Sequence, residues 1–173
     1  MQRILLVGCP GAGKSTAARK LAEITGLPLI HLDRHYWQSG WVRPDRDLWH
    51  AKVAELADQP RWIMDGNYSN TLYLRLAAAD TLIHLDFSTA VCAWRVGRRM
   101  LMGLGQNRGQ EFGKGCPERL NWPFFRFVLN YRRKYRARDL ERMASFGGTM
   151  HRFTSPAALE VYLSGLAENA QYL

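Results

Sequence analysis

An α/β chain built on one parallel sheet is what this sequence predicts, and three observations predict it. The apolar run 4–7 passes through Gly8-Cys9-Pro10-Gly11-Ala12-Gly13-Lys14-Ser15 straight into a helical stretch, 14–25. Four more short apolar runs follow, at 28–33, 61–65, 81–87 and 149–153, each leading into a polar or helical segment. Three of the runs carry an aspartate at or near their ends, in His31-Leu32-Asp33, Ile63-Met64-Asp65 and His84-Leu85-Asp86. Such alternation gives a sheet covered by helices on both faces.

Taken in order, Ile4-Leu5-Leu6-Val7 reads as a buried strand, and the helix after it is closed by Gly26 and Pro28. The turn between them has the spacing G-x-x-x-x-G-K-S. Glycines at those places let backbone N–H groups curl around phosphate oxygens, and the helix N-terminus adds positive potential. Gly8, Pro10, Gly11, Ala12, Gly13, Lys14, Ser15 and Thr16 are therefore assigned to a bound nucleotide. Lys14 reaches the β/γ-phosphates and the Ser15 hydroxyl ligates Mg²⁺. ATP and Mg²⁺ are the cofactors expected. Helices are expected at 45–58, 69–78, 89–103, 117–145 and 155–168. Ligands of open parallel sheets sit outside the carboxyl ends of the strands, so the aspartates there carry the chemistry. Asp65, followed by Gly66, is read as the acid beside the metal, whereas Asp86, before Phe87-Ser88 and a new helix, is read as a helix cap or turn residue. His31 and His84, inside strands, are read as packed or hydrogen-bonded core residues.

At 173 residues the chain is one domain's worth. Its three cysteines, Cys9, Cys92 and Cys116, are scattered and form no C-x-x-C pair, so neither a disulfide framework nor a zinc ribbon is indicated. With no charged leader and no apolar stretch long enough to span a bilayer, the sequence reads as a cytoplasmic protein without a membrane partner. The formal net charge of +9 is concentrated: residues 95–142 hold thirteen Lys/Arg against four Asp/Glu, leaving eleven of each elsewhere. The same segment contains Gly103, Gly105, Gly109, Gly113 and Gly115, which reads as a mobile lid at about 103–120. Cations that close over a polyphosphate explain this segment, and nucleic-acid binding is the competing explanation.

The loop 8–15, the Asp65-Gly66 pair and the run Arg95-Val96-Gly97-Arg98-Arg99 before a glycine-rich lid resemble adenylate kinase and its relatives. Within that group, His31-Leu32-Asp33 with Trp37, Gly40-Trp41, Asp65-Gly66-Asn67-Tyr68 and Gly115-Cys116-Pro117-Glu118 are similar to the DNA topology modulation proteins. The resemblance implies a P-loop NTPase fold, a five-stranded parallel sheet in the order 2-3-1-4-5. It also implies that Asp65 lies beside the loop, Asp33 on the acceptor side, Arg95 near the adenine and Arg99 near the phosphates. One departure matters: adenylate kinases usually follow the Asp-Gly pair with Phe-Pro-Arg, whose arginine grips the acceptor phosphate, and Asn67-Tyr68-Ser69 stands here instead.

The whole chain is thus read as a single kinase domain with an acceptor-side insert at about 34–60, where Trp37, Trp41 and Trp49 lie among Arg34, His35, Arg43 and Arg46. Those aromatics stack a base or sugar, or else form a small satellite core, the reading slightly favoured for each. In the helix expected at 117–145, Phe124, Phe127, Val128, Tyr131 and Tyr135 form an apolar core stripe, with Arg132 and Arg136 turned toward the phosphates. The expected activity is transfer of the γ-phosphoryl group of Mg-ATP to a small acceptor, a nucleoside, nucleotide or related molecule. Lys14, Asp33, Asp65, Arg99, Arg132 and Arg136 are its catalytic candidates, with Asp33 a base if the acceptor is an alcohol. The alternative is an ATP-switched nucleic-acid-binding protein that affects DNA topology. The oligomeric state is not legible.

Overall fold

The computed structural model describes residues 1–104, 115–117 and 119–170. Its sheet is parallel throughout and runs β2-β3-β1-β4-β5. The strands are β1 (Arg3–Gly8), β2 (Leu29–His31), β3 (Trp62–Asp65), β4 (Thr81–Leu85) and β5 (Thr149–Phe153). The helices are α1 (Lys14–Thr25), α2 (Leu32–Tyr36), α3 (Arg46–Ala57), α4 (Leu72–Ala78), α5 (Thr89–Met102), α6 (Trp122–Lys134), α7 (Arg136–Met143) and α8 (Pro156–Ala170), with a single 3₁₀ turn at Ser39–Trp41.

Period-two alternation along β1 divides the core between the two faces of the sheet. Ile4 and Leu6 join Ile63, Ile83 and Leu85 under α1, α5, α6 and α8, against Leu21, Val96, Val128 and Leu159. Leu5 and Val7 join Ile30, Met64 and Leu82 on the other face, against Trp49, Val53 and Leu56 of α3, Leu72 of α4 and Met143 of α7. Because both faces are covered, the central strands are buried along nearly their whole length and mostly apolar, with His84 in β4 and Asp65 at the end of β3 among the polar exceptions. Among the described residues, no helix is long and apolar enough to cross a membrane.

The register positions the site. Leu6 pairs with Asp65 on one side of β1 and Gly8 with Leu85 on the other, while His31 pairs with Asp65. The turn after β1 therefore emerges mid-sheet, flanked by the carboxyl ends of β3 and β4.

Two expectations are corrected here. β2 stops at His31, so Asp33 lies in the first turn of α2 rather than at a strand end. The stretch 117–145 is not one helix. α6 begins only at Trp122, where Asn121 Oδ1 accepts from the Phe124 N–H at 3.0 Å and Pro123 occupies the first turn. It ends at Lys134, and α7 starts at Arg136 after a kink at Tyr135, which stays in the right-handed helical region but with φ stretched to −119° at ψ −28°. Across that break, Tyr131 donates to Asp139 Oδ2 at 2.7 Å. Most of the expected lid, residues 105–114 and 118, lies outside the described residues.

Candidate active site

The turn after β1 has a shape that glycine alone supplies at two points. Gly11 adopts φ 85°, and a Cβ there would stand 2.4 Å from the Cys92 carbonyl oxygen of α5. At Gly8, with φ 145°, a Cβ would stand 2.3 Å from the Leu85 carbonyl oxygen. The loop consequently lies tight against β4 and α5, and Ala12 N–H closes it onto the Cys9 carbonyl at 3.0 Å. Lys14 folds back over it, donating to the Gly8 and Cys9 carbonyls at 2.8 and 3.2 Å. Burial pulls the Lys14 pKa down, and the charges of Asp65 and Asp33 oppose that shift.

Asp65 is buried at the end of β3, and its Oδ1 lies 2.7 Å from His31 Nδ1 on the neighbouring strand. His31, expected as a packed or hydrogen-bonded strand residue, thus fixes the orientation of the carboxylate. The segment after Asp65 is held from both sides. Asn67 Oδ1 accepts from the Gly8 N–H at 3.1 Å. Beneath it, the fully buried Arg75 of α4 donates to the carbonyls of Gly66 at 2.7 Å, Asn67 at 2.7 Å and Tyr68 at 2.9 Å. Burial lowers the Arg75 pKa to about 9, which leaves it protonated at neutral pH. Tyr68, at the uncommon φ of 26°, is directed by this loop so that its hydroxyl donates to Asp33 Oδ1 at 2.5 Å.

Lys14, Asp65, Asn67, Tyr68 and Asp33 share one cavity of about 650 Å³, within the range of small-molecule sites. Pro10 to Thr16 line its floor, Asp65 and Asp33 one side, and Arg95 and Arg99 of α5 the other. Gly8 is set back behind the floor. Arg95 donates to the Ala12 carbonyl at 3.1 Å and lies 5.8 Å from the Phe87 ring centroid, while Arg99 lies 5.8 Å from that of Phe124. At the far end stand Trp37, Trp41 and Arg119. The turn that carries Trp41 is tied to the described residues 115–117 of the expected lid. Gly40 N–H donates to the Gly115 carbonyl at 2.9 Å, Trp41 Nε1–H to the Pro117 carbonyl at 3.2 Å, and Cys116 Sγ to the Gln38 carbonyl at 3.2 Å.

No family model matches the chain. It is 31% identical over 130 residues to the adenylate kinases of Mycobacterium ulcerans and Mycobacterium marinum, an alignment that covers 62% of this chain and 71% of each of theirs. The chain belongs to the adenylate kinase-related P-loop kinases. A solved shikimate kinase from Acinetobacter baumannii, in complex with shikimate, superposes with a TM-score of 0.58 at 18% identity, covering 99% of this chain and 94% of that one. That second likeness is one of fold.

Against the pattern expected for a P-loop kinase, several side chains stand elsewhere. Arg136 does not face the cavity: it is bidentate to Asp86, with Nε–Oδ1 at 2.8 Å and Nη2–Oδ2 at 2.7 Å. Arg152 of β5 binds the same carboxylate. Burial would push the Asp86 pKa up, but the two guanidiniums outweigh it and hold the group at about 2. Asp86 is therefore not the cap of α5; Ser88 is, accepting from the Val91 N–H. Arg132 is exposed on α6 and lines no part of the cavity, because the break at Tyr135 gives the Asp86 position to Arg136. Phe124 and Phe127, expected wholly as core, also wall the cavity. Of the three insert tryptophans, Trp49 is core, 2% exposed, whereas Trp37 and Trp41 line the cavity.

Two residues were missed by sequence reasoning. Arg75 carries no local signal, since an arginine on a short helix looks solvated. Arg119 was signalled only by its place just after Gly115-Cys116-Pro117, and its guanidinium lies 5.5 Å from the Trp41 ring centroid.

Proposed function

We propose that this chain transfers the γ-phosphoryl group of ATP, with Mg²⁺, to a small acceptor of the nucleoside, nucleotide or related class. One observation carries the reading: a single cavity joins a phosphate-cradling loop, through Lys14, to two carboxylates, Asp65 and Asp33, that are held by separate partners. Two buried-side carboxylates with different neighbours suit different tasks.

The donor set fits the expected cofactor. Mg²⁺ takes few protein ligands and keeps several waters, so one hydroxyl, Ser15, with Asp65 nearby is a sufficient set. Among the described residues no cluster of three His, Cys, Asp or Glu competes for a metal. When bound, Mg-ATP supplies the transferable phosphoryl group and neutralises charge on the leaving diphosphate.

The chain's own residues do the rest. Lys14 exchanges the Gly8 and Cys9 carbonyls for phosphate oxygens, and the loop N–H groups hold the phosphates in line. His31 keeps Asp65 from turning away from the metal side. Arg99 meets charge on the moving group, and Arg95, anchored on the Ala12 carbonyl, walls the nucleotide end. Asp33 accepts the acceptor's hydroxyl proton or, for an acceptor that is already a phosphate, orients it. Kinship with the DNA topology modulation proteins is supported by the ordered motif set, which supplies no nucleic-acid chemistry of its own.

The test is transfer from γ-labelled ATP across nucleosides, nucleoside monophosphates and small polyols, run beside Lys14→Ala. Label in an acceptor with the wild type and none with the variant is expected. Equal transfer by both proteins would sink the proposal.

A further inference from the structure

The far end of the cavity constrains the acceptor more than the motifs do. Trp37 and Trp41 are half-buried there, edge to face with centroids 5.3 Å apart. Both are fixed from behind. Tyr36 packs at 4.9 Å against Trp37 and at 4.9 Å against the core Trp49, and Tyr68 packs at 4.5 Å against Tyr36. Trp41 is fixed by its Nε1 bond to the Pro117 carbonyl and by the Arg119 guanidinium over its ring. A preorganised pair of indoles of this kind offers apolar area at little entropic cost, which is what recognition of a ring needs.

The charges point the same way. Among the described residues, the cations that line the cavity are Lys14 on the loop, Lys20, Arg95, Arg99 and Arg119. Lys20 is ion-paired with Glu160 at 2.7 Å, and Arg95 is bonded to the Ala12 carbonyl. Arg75, which lies under the 66–68 loop, is spent on three carbonyls. Among the described residues, the acceptor wall presents one carboxylate, Asp33, and two guanidiniums, each set against an indole: Arg119 at 5.5 Å from the Trp41 centroid and Arg43 at 5.9 Å from that of Trp37. A phosphate dianion placed against that wall meets like charge from Asp33, and the two described guanidiniums there lie against indole rings.

We propose, resting on the kinase reading above, that the acceptor is an uncharged, hydroxyl-bearing ring compound, laid with its flat face on one indole of the Trp37–Trp41 pair, its edge against the other and its hydroxyl on Asp33. Arg119 then serves to fix Trp41 and not to grip a phosphate. In the step so defined, the acceptor oxygen forms a bond to the γ-phosphorus of ATP and the bond from that phosphorus to the β,γ-bridging oxygen breaks. The hydroxyl proton goes to Asp33, and the products are ADP and a phosphate monoester. A nucleoside base and the C–H face of a cyclic polyol both supply the flat face.

The test is calorimetric titration of the full chain with adenosine, cytidine, their 5′-monophosphates and two cyclic polyols, with and without a non-hydrolysable ATP analogue and Mg²⁺. At least one uncharged ring compound is expected to bind tenfold or more tightly than the monophosphates, and Trp41→Phe to weaken it about tenfold. Trp37→Phe gives a second reading if Trp41→Phe does not fold, as judged by circular dichroism. Arg119→Ala is expected to weaken a nucleoside and its monophosphate by similar factors. Binding by nucleosides alone assigns the flat face to the base, and binding by polyols alone assigns it to the sugar face. Monophosphates binding tenfold more tightly than their nucleosides, with that preference lost in Arg119→Ala, would overturn the proposal. So would the absence of heat with every uncharged ring. Failure of the wild type to turn over ATP would count against the kinase reading instead, and the order of binding would still decide the acceptor class.

Discussion

Tyr68 donates its phenolic hydrogen to Asp33 at 2.5 Å, joining the loop after β3 to the first turn of α2 across the acceptor side of the cavity. Burial and the Asp33 charge both push the Tyr68 pKa up, so the phenol stays protonated as the donor. The bond exists because Arg75 holds the three carbonyls of the loop and so keeps Tyr68 at positive φ.

Asp33→Asn is expected to lower turnover roughly 10²-fold with a hydroxyl acceptor, the scale of lost acid–base help. Tyr68→Phe should act more weakly, since it removes the orienting bond and keeps the carboxylate. Steady-state kinetics decide it: unchanged turnover with a raised acceptor KM in Asp33→Asn would reduce Asp33 to an orienting group.

Asp65→Asn keeps the shape of the side chain and removes the charge beside the metal position, so the Mg²⁺ concentration for half-maximal rate is expected to rise about tenfold or more while ATP affinity changes less. The contact with His31 Nδ1, 2.7 Å in the wild type, makes a second variant informative. His31→Leu frees the carboxylate to turn and should raise the Mg²⁺ requirement in the same direction. A Mg²⁺ titration that superposes for all three proteins would remove Asp65 from the metal side.

How much of this was legible follows from where each signal sits. The phosphate loop and its glycines are readable because a contiguous backbone shape dictates them, and the strand order came with the resemblance to the adenylate kinases, since local pattern gives strands but not their neighbours. The place of Asp65 at a strand end was readable because an Asp-Gly pair closes the apolar run before it. Asp86 was misread because its partners, Arg136 and Arg152, lie 50 and 66 residues away, and nothing local distinguishes a clamp from a cap. The same clamp explains the error at Arg136, which shares a helical angle with Arg132 only if the helix runs unbroken through Tyr135. Arg75 was invisible for a related reason: its partners are backbone carbonyls, which leave no trace in residue type.

The Asp86 cluster predicts a two-stage loss of stability in acid. His84, lowered by burial to about 4 against an ordinary 6.5, stays neutral in the fold while the unfolded chain takes up a proton. Stability is therefore full above pH 6.5 and falls as pH drops toward 4. Asp86, held at about 2 against 3.8, adds a second loss as pH falls from about 4 toward 2. That second part amounts to on the order of 2 kcal/mol at neutral pH. Urea denaturation from pH 7 to pH 2.5 measures both. His84→Gln should flatten the first stage, and Asp86→Asn should remove the second while deepening the first, because the Asp86 charge holds the His84 pKa up; a single stage common to wild type and both variants would contradict the cluster's role.

The basic segment separates phosphoryl transfer from nucleic-acid binding, because Arg99 lines the cavity and Arg132 is exposed outside it. If the segment serves ATP, Arg99→Ala should cut transfer by about 10³-fold, the lower end of what a transition-state arginine supplies. Arg132→Ala should then change transfer by less than about threefold. If the segment instead tracks a nucleic-acid backbone, wild-type affinity for duplex DNA should fall steeply with salt, with a log–log slope of about −0.9 per phosphate neutralised. Each substitution, Arg132→Ala above all, should then make the slope shallower by about one unit. Transfer and salt-dependent binding are measurable on the same purified proteins. Wild-type transfer in Arg99→Ala, together with a steep salt slope that Arg132→Ala reduces, would replace the kinase reading with the nucleic-acid one.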